Sequence, residues 1–277
     1  MLWGTSFPVI KIGLNYVNPY SFVFLRFLVA SALMLILMAA MKKLSFPMKQ
    51  KKLILFLGVI NGAAYVMQYV GMNFTTAAKA ALFVGLSAVW VALLSPWILK
   101  EKLGTNKIFG VLAALVGIVF VTTNLDFSLL TGGQLFGDLL LVATGFTWAI
   151  FMIYNKTLVT NDSNLLPSLT WILLATLLPM LPFVFSTGSQ TLALPVQAWL
   201  IVLYTAVACW IIPFYLFLEG LKNISASTST ILLLSQIVVA AAISGVWLNE
   251  VFTIVSAIGA VFIILATVLV SYRTDRT

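Results

Sequence analysis

Apolar runs of about twenty residues, the length that crosses a bilayer as a helix, follow one another along nearly the whole chain of 277 residues. Backbone polar groups inside a bilayer must be satisfied within the spanning segment, so each run predicts a transmembrane α-helix. A transmembrane β-barrel would instead show shorter segments of alternating polarity. Hydrophobic residues make up 62% of the sequence and charged residues only 8%. The sequence therefore predicts an all-α integral membrane protein.

Polar and turn-forming residues divide the chain into ten predicted spans. Their predicted bounds are Leu2–Val17, Tyr20–Met41, Leu53–Phe74, Ala77–Leu99, Lys107–Thr123, Gly137–Asn155, Leu165–Phe185, Ala198–Leu218, Ser225–Leu248 and Val251–Tyr272. Five spans in each half predict a first unit over residues 1–124, an outer connecting loop over 125–136 and a second unit over 137–277. The first run lacks a basic start and a cleavage site, so we expect a retained helix rather than a signal peptide.

Positive charges are concentrated in alternate connections between the spans. With a cytoplasmic N-terminus, twelve of the 15 Lys and Arg residues fall in inner connections, as the positive-inside rule predicts. Both termini are expected on the cytoplasmic side of the inner or plasma membrane. The net charge of +8 is not gathered on one soluble face, so nucleic acid is not an expected partner. The expected partners are the lipid bilayer and a small-molecule substrate, with the chain a monomer or a homodimer.

Residues with the usual catalytic chemistry are scarce. The sequence has no histidine, one cysteine and seven acidic residues, and none of the acids falls well inside a span. A histidine triad and an internal disulfide are therefore excluded, and no Walker loop is present for ATP hydrolysis. We predict no catalytic residue, no metal, no cofactor and no enzyme activity. An intramembrane enzyme and a non-transporting membrane scaffold are the alternatives to transport.

The sequence contains an internal repeat. Residues 71–101 align without gaps on residues 220–250 at an offset of 149, with seven identical pairs. The start of each half adds two matches at an offset of 145: Trp3 with Trp148 and Lys11 with Lys156. Because each unit has an odd number of spans, the second would enter the membrane from the opposite side. Inverted repeats of this kind are typical of transporters with alternating access to a central site.

Three features of the sequence are similar to those of a known protein family. They are WGTSFPVIK at residues 3–11, LRFLVA at residues 25–30 and the repeated block that begins with Gly and ends with Glu, at residues 71–101 and 220–250. Together they resemble the EamA-like branch of the drug/metabolite transporter superfamily over essentially the whole chain. The resemblance implies ten helices in two inverted repeats and the movement of a small metabolite, often the export of an amino acid or a related compound. Such proteins commonly carry a proline within the fourth and ninth helices, where this chain has Ala88 and Ile237, so the resemblance does not carry over a proline kink.

Three cations, Lys11, Arg26 and Lys79, fall inside predicted spans. Each would cost about 2.5 to 3.5 kcal/mol if it faced lipid, so we expect them to face an interior, water or an interface and to make that interior positive. We predict that Lys79, with help from Lys11 or Arg26, attracts an anionic group such as a substrate carboxylate. Because Lys79 lies only about 3 Å below the outer end of its span, snorkelling to the interface is equally open. A structural role is favoured for Arg26.

Polar and aromatic side chains share one face of the third span at helical spacing: Asn61, Tyr65, Gln68, Tyr69 and Met72. This face predicts a cavity wall, with interhelical hydrogen bonding as the alternative. The eighth span is expected to supply an aromatic wall, including Tyr204, Trp210 and Phe214. Four further residues complete the predicted substrate-binding set: Trp3, Ser6, Trp148 and Gln236. This mixture favours a partly apolar solute such as an amino acid.

The predicted function is a secondary transporter that exports or exchanges such a metabolite by alternating access. Since the spans contain no histidine and no central carboxylate, proton coupling has little support, and facilitated diffusion or exchange is at least as plausible. Glu101 and Glu250 precede predicted helices and are expected to cap their N-termini. Gly58 and Gly62 form a GxxxG pair that favours tight helix packing over dimerisation.

Overall fold

The computed structural model describes residues 2–75, 77–101, 104–123, 125–126, 135–161, 165–186, 194–247 and 253–271. Within these ranges every regular element is helical and no strand occurs. Five stretches of them are long and apolar enough to cross a membrane: Pro19–Ala40, Met48–Phe74, Leu135–Asn161, Leu165–Phe185 and Val196–Leu221. The chain is all-α, as its composition predicts, and has the helices of a multi-pass membrane protein.

The described residues of the first half form six α-helices. They are α1 (Leu2–Gly13), α2 (Pro19–Ala40), α3 (Lys51–Phe74), α4 (Ala77–Gly85), α5 (Ser87–Ile98) and α6 (Thr105–Thr123). The start of α2 shows why the sequence begins a helix there. Asn18 Oδ1 accepts a 2.9 Å hydrogen bond from Ser21 N, and Pro19 occupies the first helical turn, where its missing N–H leaves no bond unmade.

In the second half, the part of the chain that the structure describes contains eight α-helices. They are α7 (Leu135–Asn161), α8 (Leu165–Thr176), α9 (Leu181–Ser186), α10 (Val196–Ala206), α11 (Ile212–Leu221), α12 (Ala226–Leu233), α13 (Ser235–Trp247) and α14 (Ile254–Ser271). A 3₁₀ turn at Leu178–Met180 joins α8 to α9, and a π-helical turn at Val207–Ile211 joins α10 to α11. Pro179 and Pro213 lie at these two irregularities, because proline cannot donate the backbone hydrogen bond that a continuous α-helix needs.

The fourth and ninth predicted spans are each interrupted near the middle, although neither carries a proline there. The interruptions lie at Leu86, between α4 and α5, and at Leu234, between α12 and α13. At both, hydrogen bonds join residues three apart: Leu86 N to Phe83 O, Val89 N to Leu86 O, Leu234 N to Ile231 O and Ile237 N to Leu234 O, at 2.9 to 3.3 Å. The two breaks fall within one residue of equivalence at the 149-residue offset.

The two halves pack crosswise rather than side by side. Helix α3 lies against α7 and α8, α1 against α13 and α10, α4 and α5 against α7, and α6 against α14. Glycines allow the closest approaches. A Cβ atom at Gly58 would overlap the side chain of Ala175, and one at Gly62 would overlap the carbonyl of Thr176. The GxxxG pair therefore packs tightly within the chain, in agreement with the interpretation favoured from its sequence.

Candidate functional site

A cavity lies between helices of both halves. Its lining residues come from α1, α3, the α4–α5 break, α7 and the α12–α13 break: Trp3, Ser6, Phe7, Tyr65, Gln68, Val84, Ser87, Trp148, Met152, Thr230, Leu233, Leu234 and Gln236. Trp148 is the central residue of the 27-residue helix α7, about 20 Å from either end at 1.5 Å per residue. The cavity therefore lies near the middle of a membrane-length helix.

Eight of the lining residues form four pairs related by the sequence repeat. Two pairs follow the offset of 145, Trp3 with Trp148 and Phe7 with Met152, and two follow the offset of 149, Val84 with Leu233 and Ser87 with Gln236. Ser87 was not among the residues predicted from sequence. It could have been found by applying the repeat offset to Gln236.

The two helix breaks open directly onto this cavity. Ser87 follows the break at Leu86 by one residue, and Gln236 follows the break at Leu234 by two. An interrupted helix leaves backbone groups without their usual intrahelical partners, and irregular backbone at membrane depth is tolerated where it lines a cavity. The breaks thus place the polar side chains of Ser87 and Gln236 beside the same space.

Three polar lining residues of the first half have phenylalanine at the equivalent positions of the second half. Ser6, Tyr65 and Gln68 of the first half are polar, and the sequence repeat matches them with three phenylalanines of the second half: Phe151, Phe214 and Phe217. These phenylalanines form an aromatic layer beside the cavity. The rings of Phe151 and Phe214 stack 5.5 Å apart, and Trp3 lies 5.7 Å from Phe217. The second half also contributes the polar side chains of Thr230 and Gln236, so both halves supply polar and aromatic residues to the lining.

The indole N–H groups of the two tryptophans that line the cavity, Trp3 and Trp148, lack a hydrogen-bond acceptor among the described residues. Within the described part of the chain, Trp3 Nε1 and Trp148 Nε1 are buried and have no hydrogen-bond partner. A buried donor without a partner costs roughly 1 to 3 kcal/mol, and indole N–H groups usually find an acceptor. A ligand that carries an acceptor would supply one to either ring.

Six predicted binding residues line this cavity, namely Trp3, Ser6, Tyr65, Gln68, Trp148 and Gln236. Four others do not. Asn61 Nδ2 donates to Thr176 Oγ1 at 2.9 Å, which is the interhelical hydrogen bond considered as its alternative role. The indole of Trp210 is buried against Phe214, with ring centroids 4.6 Å apart, behind the cavity lining.

Tyr69 and Tyr204 are the other two predicted binding residues that do not line the cavity. Tyr69 Oη accepts a 2.9 Å hydrogen bond from Arg26 Nη1, and Tyr204 Oη shares a 2.7 Å hydrogen bond with Thr5 Oγ1 near the protein surface. The aromatic layer next to the cavity thus uses Phe214 and Phe217 rather than Tyr204 and Trp210. The side chain of Lys79, the predicted attractor of an anionic group, lies outside the described part of the structure, so this interpretation remains a prediction.

Arg26 lies behind the cavity wall and is fully buried, with 1% of its surface exposed. Its guanidinium donates to the carbonyls of Thr205 and Cys209, at 3.0 and 3.2 Å, and lies 4.9 Å from the ring centroid of Tyr65. The Cys209 carbonyl is the one that Pro213 cannot satisfy within the helix. These contacts agree with the structural role favoured for Arg26. The described residues that line the cavity are uncharged, and the positive interior expected from the sequence remains a prediction, because the side chain of Lys79 lies outside the described part of the structure.

Two lysines at equivalent positions hold the ends of two helices. Lys11 Nζ donates to the carbonyls of Met72 and Thr75 at 2.9 Å each, at the end of α3. Lys156 Nζ donates to those of Leu221 and Ile224 at 2.8 and 2.9 Å, at the end of α11. The acceptor pairs are 149 residues apart and the lysines 145 apart, as in the sequence repeat. Lys11 therefore caps carbonyls and does not reach the cavity as a substrate ligand.

Replacing either lysine by methionine is expected to destabilise the protein, because a charged donor at a helix C-terminus contributes about 1.5 to 3 kcal/mol. Lys11→Met and Lys156→Met should each lower the melting temperature of the purified protein. The control is Lys100→Met, which removes an exposed lysine and should leave melting unchanged. Equal melting temperatures for all three variants would contradict the capping role.

Glu101 caps a helix of the opposite half. Its carboxylate accepts from Ala226 N at 2.7 Å, and from Ser227 N and Ser227 Oγ at 3.3 and 2.9 Å, at the start of α12. The cap predicted from sequence is thus present, but on α12 rather than on α6, the helix that follows Glu101. Glu250 lies outside the described residues. Within those residues no three His, Cys, Asp or Glu side chains group as metal ligands.

Comparison with known proteins gives the family context of this fold. The sequence model of the EamA-like transporter family matches residues 1–123 and 135–272. An uncharacterized transporter of Archaeoglobus fulgidus is 27% identical over 282 residues, covering 100% of this chain and 96% of its own. The uncharacterized transporter YetK of Bacillus subtilis is 30% identical, covering 94% and 81% respectively.

Two further similarities concern substrate and fold. A protein of Escherichia coli named a probable amino-acid metabolite efflux pump is 27% identical over 203 residues, which cover 69% of this chain and 63% of that protein. A crystal structure superposes with a TM-score of 0.79 and 17% sequence identity, covering 99% of this chain and 94% of the other. The second similarity concerns the fold alone.

Proposed function

Because this chain belongs to the EamA-like transporter family, we propose that it is a secondary transporter that exports or exchanges a small metabolite by alternating access. The proposed substrate is an amino acid or a related carboxylate-bearing compound. The observation that carries this proposal is the cavity lining, to which the two sequence repeats contribute four equivalent pairs of residues. A site shared by two equivalent units is the arrangement that exchange between two opposite openings requires.

Two structural pairs support the alternating-access step. Each half contributes one interrupted helix beside the cavity and one lysine that holds the end of its third span. Because each half has an equivalent helix break and an equivalent lysine cap, the two halves could exchange conformations, each adopting the one that the other had before. The match of the family model to two separate segments also supports a repeat of this kind.

The substrate class is inferred from the chemistry of the lining. The described lining mixes uncharged polar groups with aromatic and aliphatic side chains, so a small solute with both polar and apolar parts is favoured. The unpartnered indole N–H groups of Trp3 and Trp148 would donate to a carboxylate. The uncharged side chains of the described lining residues also favour a zwitterion over a strongly charged compound such as a sugar phosphate, because a buried net charge requires a partner. The name of the E. coli relative agrees with this class.

Counterflow in proteoliposomes tests the proposal. Purified protein is first screened for amino acids that raise its melting temperature, since a ligand that binds only the folded state stabilises it. A stabilising amino acid should then show saturable counterflow, with no dependence on a proton gradient. Chemical turnover of the compound would support the enzyme alternative, and binding without flux would support a non-transporting scaffold.

Gln68 and Gln236 supply the sharpest test of the cavity itself. Gln68→Leu and Gln236→Leu each remove one hydrogen-bonding group from the lining, and a neutral hydrogen bond contributes about 1 kcal/mol. We expect the KM of transport to rise about fivefold to tenfold in each variant, with a smaller change in maximal rate.

The matched control is Gln197→Leu, which makes the same chemical change at an exposed residue at the start of α10. Its KM should equal that of the wild type. Unchanged KM values for both cavity variants, measured on protein with wild-type melting behaviour, would place the substrate elsewhere.

A further inference from the structure

A second, larger hollow lies on the outer surface of the helices, away from the central cavity. It is lined by Phe46 of the α2–α3 connection, by Lys51, Lys52, Ile54 and Leu55 of α3, and by Trp171, Leu174, Ala175 and Leu178 along α8. Apart from the two lysines, every one of these side chains is apolar or aromatic. From Trp171 to Leu178 the hollow extends about 10 Å along α8, at 1.5 Å per residue.

The connection between α2 and α3 packs against α8 and forms one wall of this groove. Trp171 Nε1 donates to the Ser45 carbonyl at 2.9 Å, and the rings of Trp171 and Phe46 meet edge to face at 4.8 Å. The hydrogen bond and the ring contact thus hold the α2–α3 connection against α8 at this groove. Because the indole N–H is already used, the polar chemistry of the groove comes from its lysines.

The end of the groove near the start of α3 is strongly positive. Residues 41–52 contain five lysines and no acidic residue, and the first acidic residue of the chain is Glu101. Lys51 and Lys52 begin α3, and both are exposed. Lysines at the end of a membrane-length helix lie at the level of the lipid headgroups. The groove therefore joins two headgroup-level cations to a strip of apolar surface that extends into the depth of the membrane.

We propose that this groove binds an anionic phospholipid, with its phosphate at Lys51 and Lys52 and one acyl chain along α3 and α8 toward Leu178. The charge complementarity selects the headgroup, and the apolar strip selects a lipid over a soluble anion. A basic pocket between helices at the membrane surface is a known mode of lipid recognition. This site is separate from the transport cavity, and the proposal is independent of the transported substrate.

Native mass spectrometry of the full-length protein with equal amounts of phosphatidylglycerol and phosphatidylcholine tests the proposal. Each lysine near a lipid phosphate contributes about fivefold, so we expect about 30-fold preference for phosphatidylglycerol, lost in the Lys51→Gln/Lys52→Gln variant. The control variant Lys100→Gln/Lys107→Gln removes the same charge elsewhere and should keep the preference. Leu55→Trp, which fills the groove without changing charge, should reduce lipid binding.

Three results would overturn the proposal. Equal loss of preference in the control variant would indicate attraction to net charge rather than to this groove. Displacement of the lipid by excess glycerol phosphate would indicate a soluble-anion site. Equal binding of the two lipids by the wild type would indicate an apolar groove without headgroup selection.

Discussion

Arg26→Met is expected to destabilise the folded protein by about 3 to 5 kcal/mol, because hydrogen bonds from a charged donor are lost and their buried acceptors are left without it. The guanidinium donates to two backbone carbonyls at the π-helical turn and to Tyr69 Oη. Methionine fills a similar volume but donates nothing, so the carbonyls of Thr205 and Cys209 lose their side-chain donor in the buried core. The measurement is the melting temperature of purified protein, followed by size-exclusion chromatography with fluorescence detection.

Two companion variants show which part of the network carries this effect. Tyr69→Phe removes a single acceptor and should cost only about 1 to 2 kcal/mol. Arg26→Lys keeps the charge but lacks the planar fork of donors, so it should rescue little. If Arg26→Met melted at the wild-type temperature, or if lysine restored full stability, the three directed hydrogen bonds would not be the source of the effect.

Gly62→Ala is expected to cost about 3 kcal/mol or more, because α3 and α8 would have to separate to admit a single methyl group. The added Cβ would overlap the Thr176 carbonyl oxygen and lie 2.5 Å from Pro179 Cγ. Backbone and a proline ring line this contact, and neither can rotate away as a flexible side chain would. The expected result is a large loss of monodisperse protein and a lower melting temperature.

Gly220→Ala is the matched control, since it makes the same change in a helix where no atom lies within 4 Å of the added Cβ. Alanine is favoured over glycine in a helix by about 1 kcal/mol, so this variant should melt at or above the wild-type temperature. Equal effects of the two substitutions would show that helix propensity, and not the α3–α8 contact, decides the outcome.

The positions of the helices were largely predictable because each apolar run has the length of a span. The irregularities inside them were not. The break at Leu86 follows a glycine, but nothing in the local sequence marks the break at Leu234. The π-helical turn is stabilised by Arg26, which lies 179 residues from its acceptor Thr205. The helix breaks and the π-helical turn depend on contacts between distant parts of the chain. The hydrophobic periodicity of the sequence carries no information about those contacts.

The candidate site was predicted in part. On α3, Tyr65 and Gln68 line the cavity, whereas Asn61 contacts Thr176 of α8. All three share one face, but Asn61 lies about 6 Å from Tyr65 along the helix axis, at a level where α8 is the neighbour. Angular position on a helix could be read from the sequence. The depth at which the cavity ends could not, because it is set by the packing of other helices.

The crosswise packing of the halves bears on how the protein is made. Helix α3 is completed by α7, α1 by α13 and α6 by α14, and the start of α12 is held by Glu101. A nascent chain that has released only its first six helices into the bilayer therefore leaves interhelical faces and a carboxylate unmatched until the ribosome has supplied the remaining segments. The helices of the first half can therefore complete their packing only after the second half has entered the bilayer.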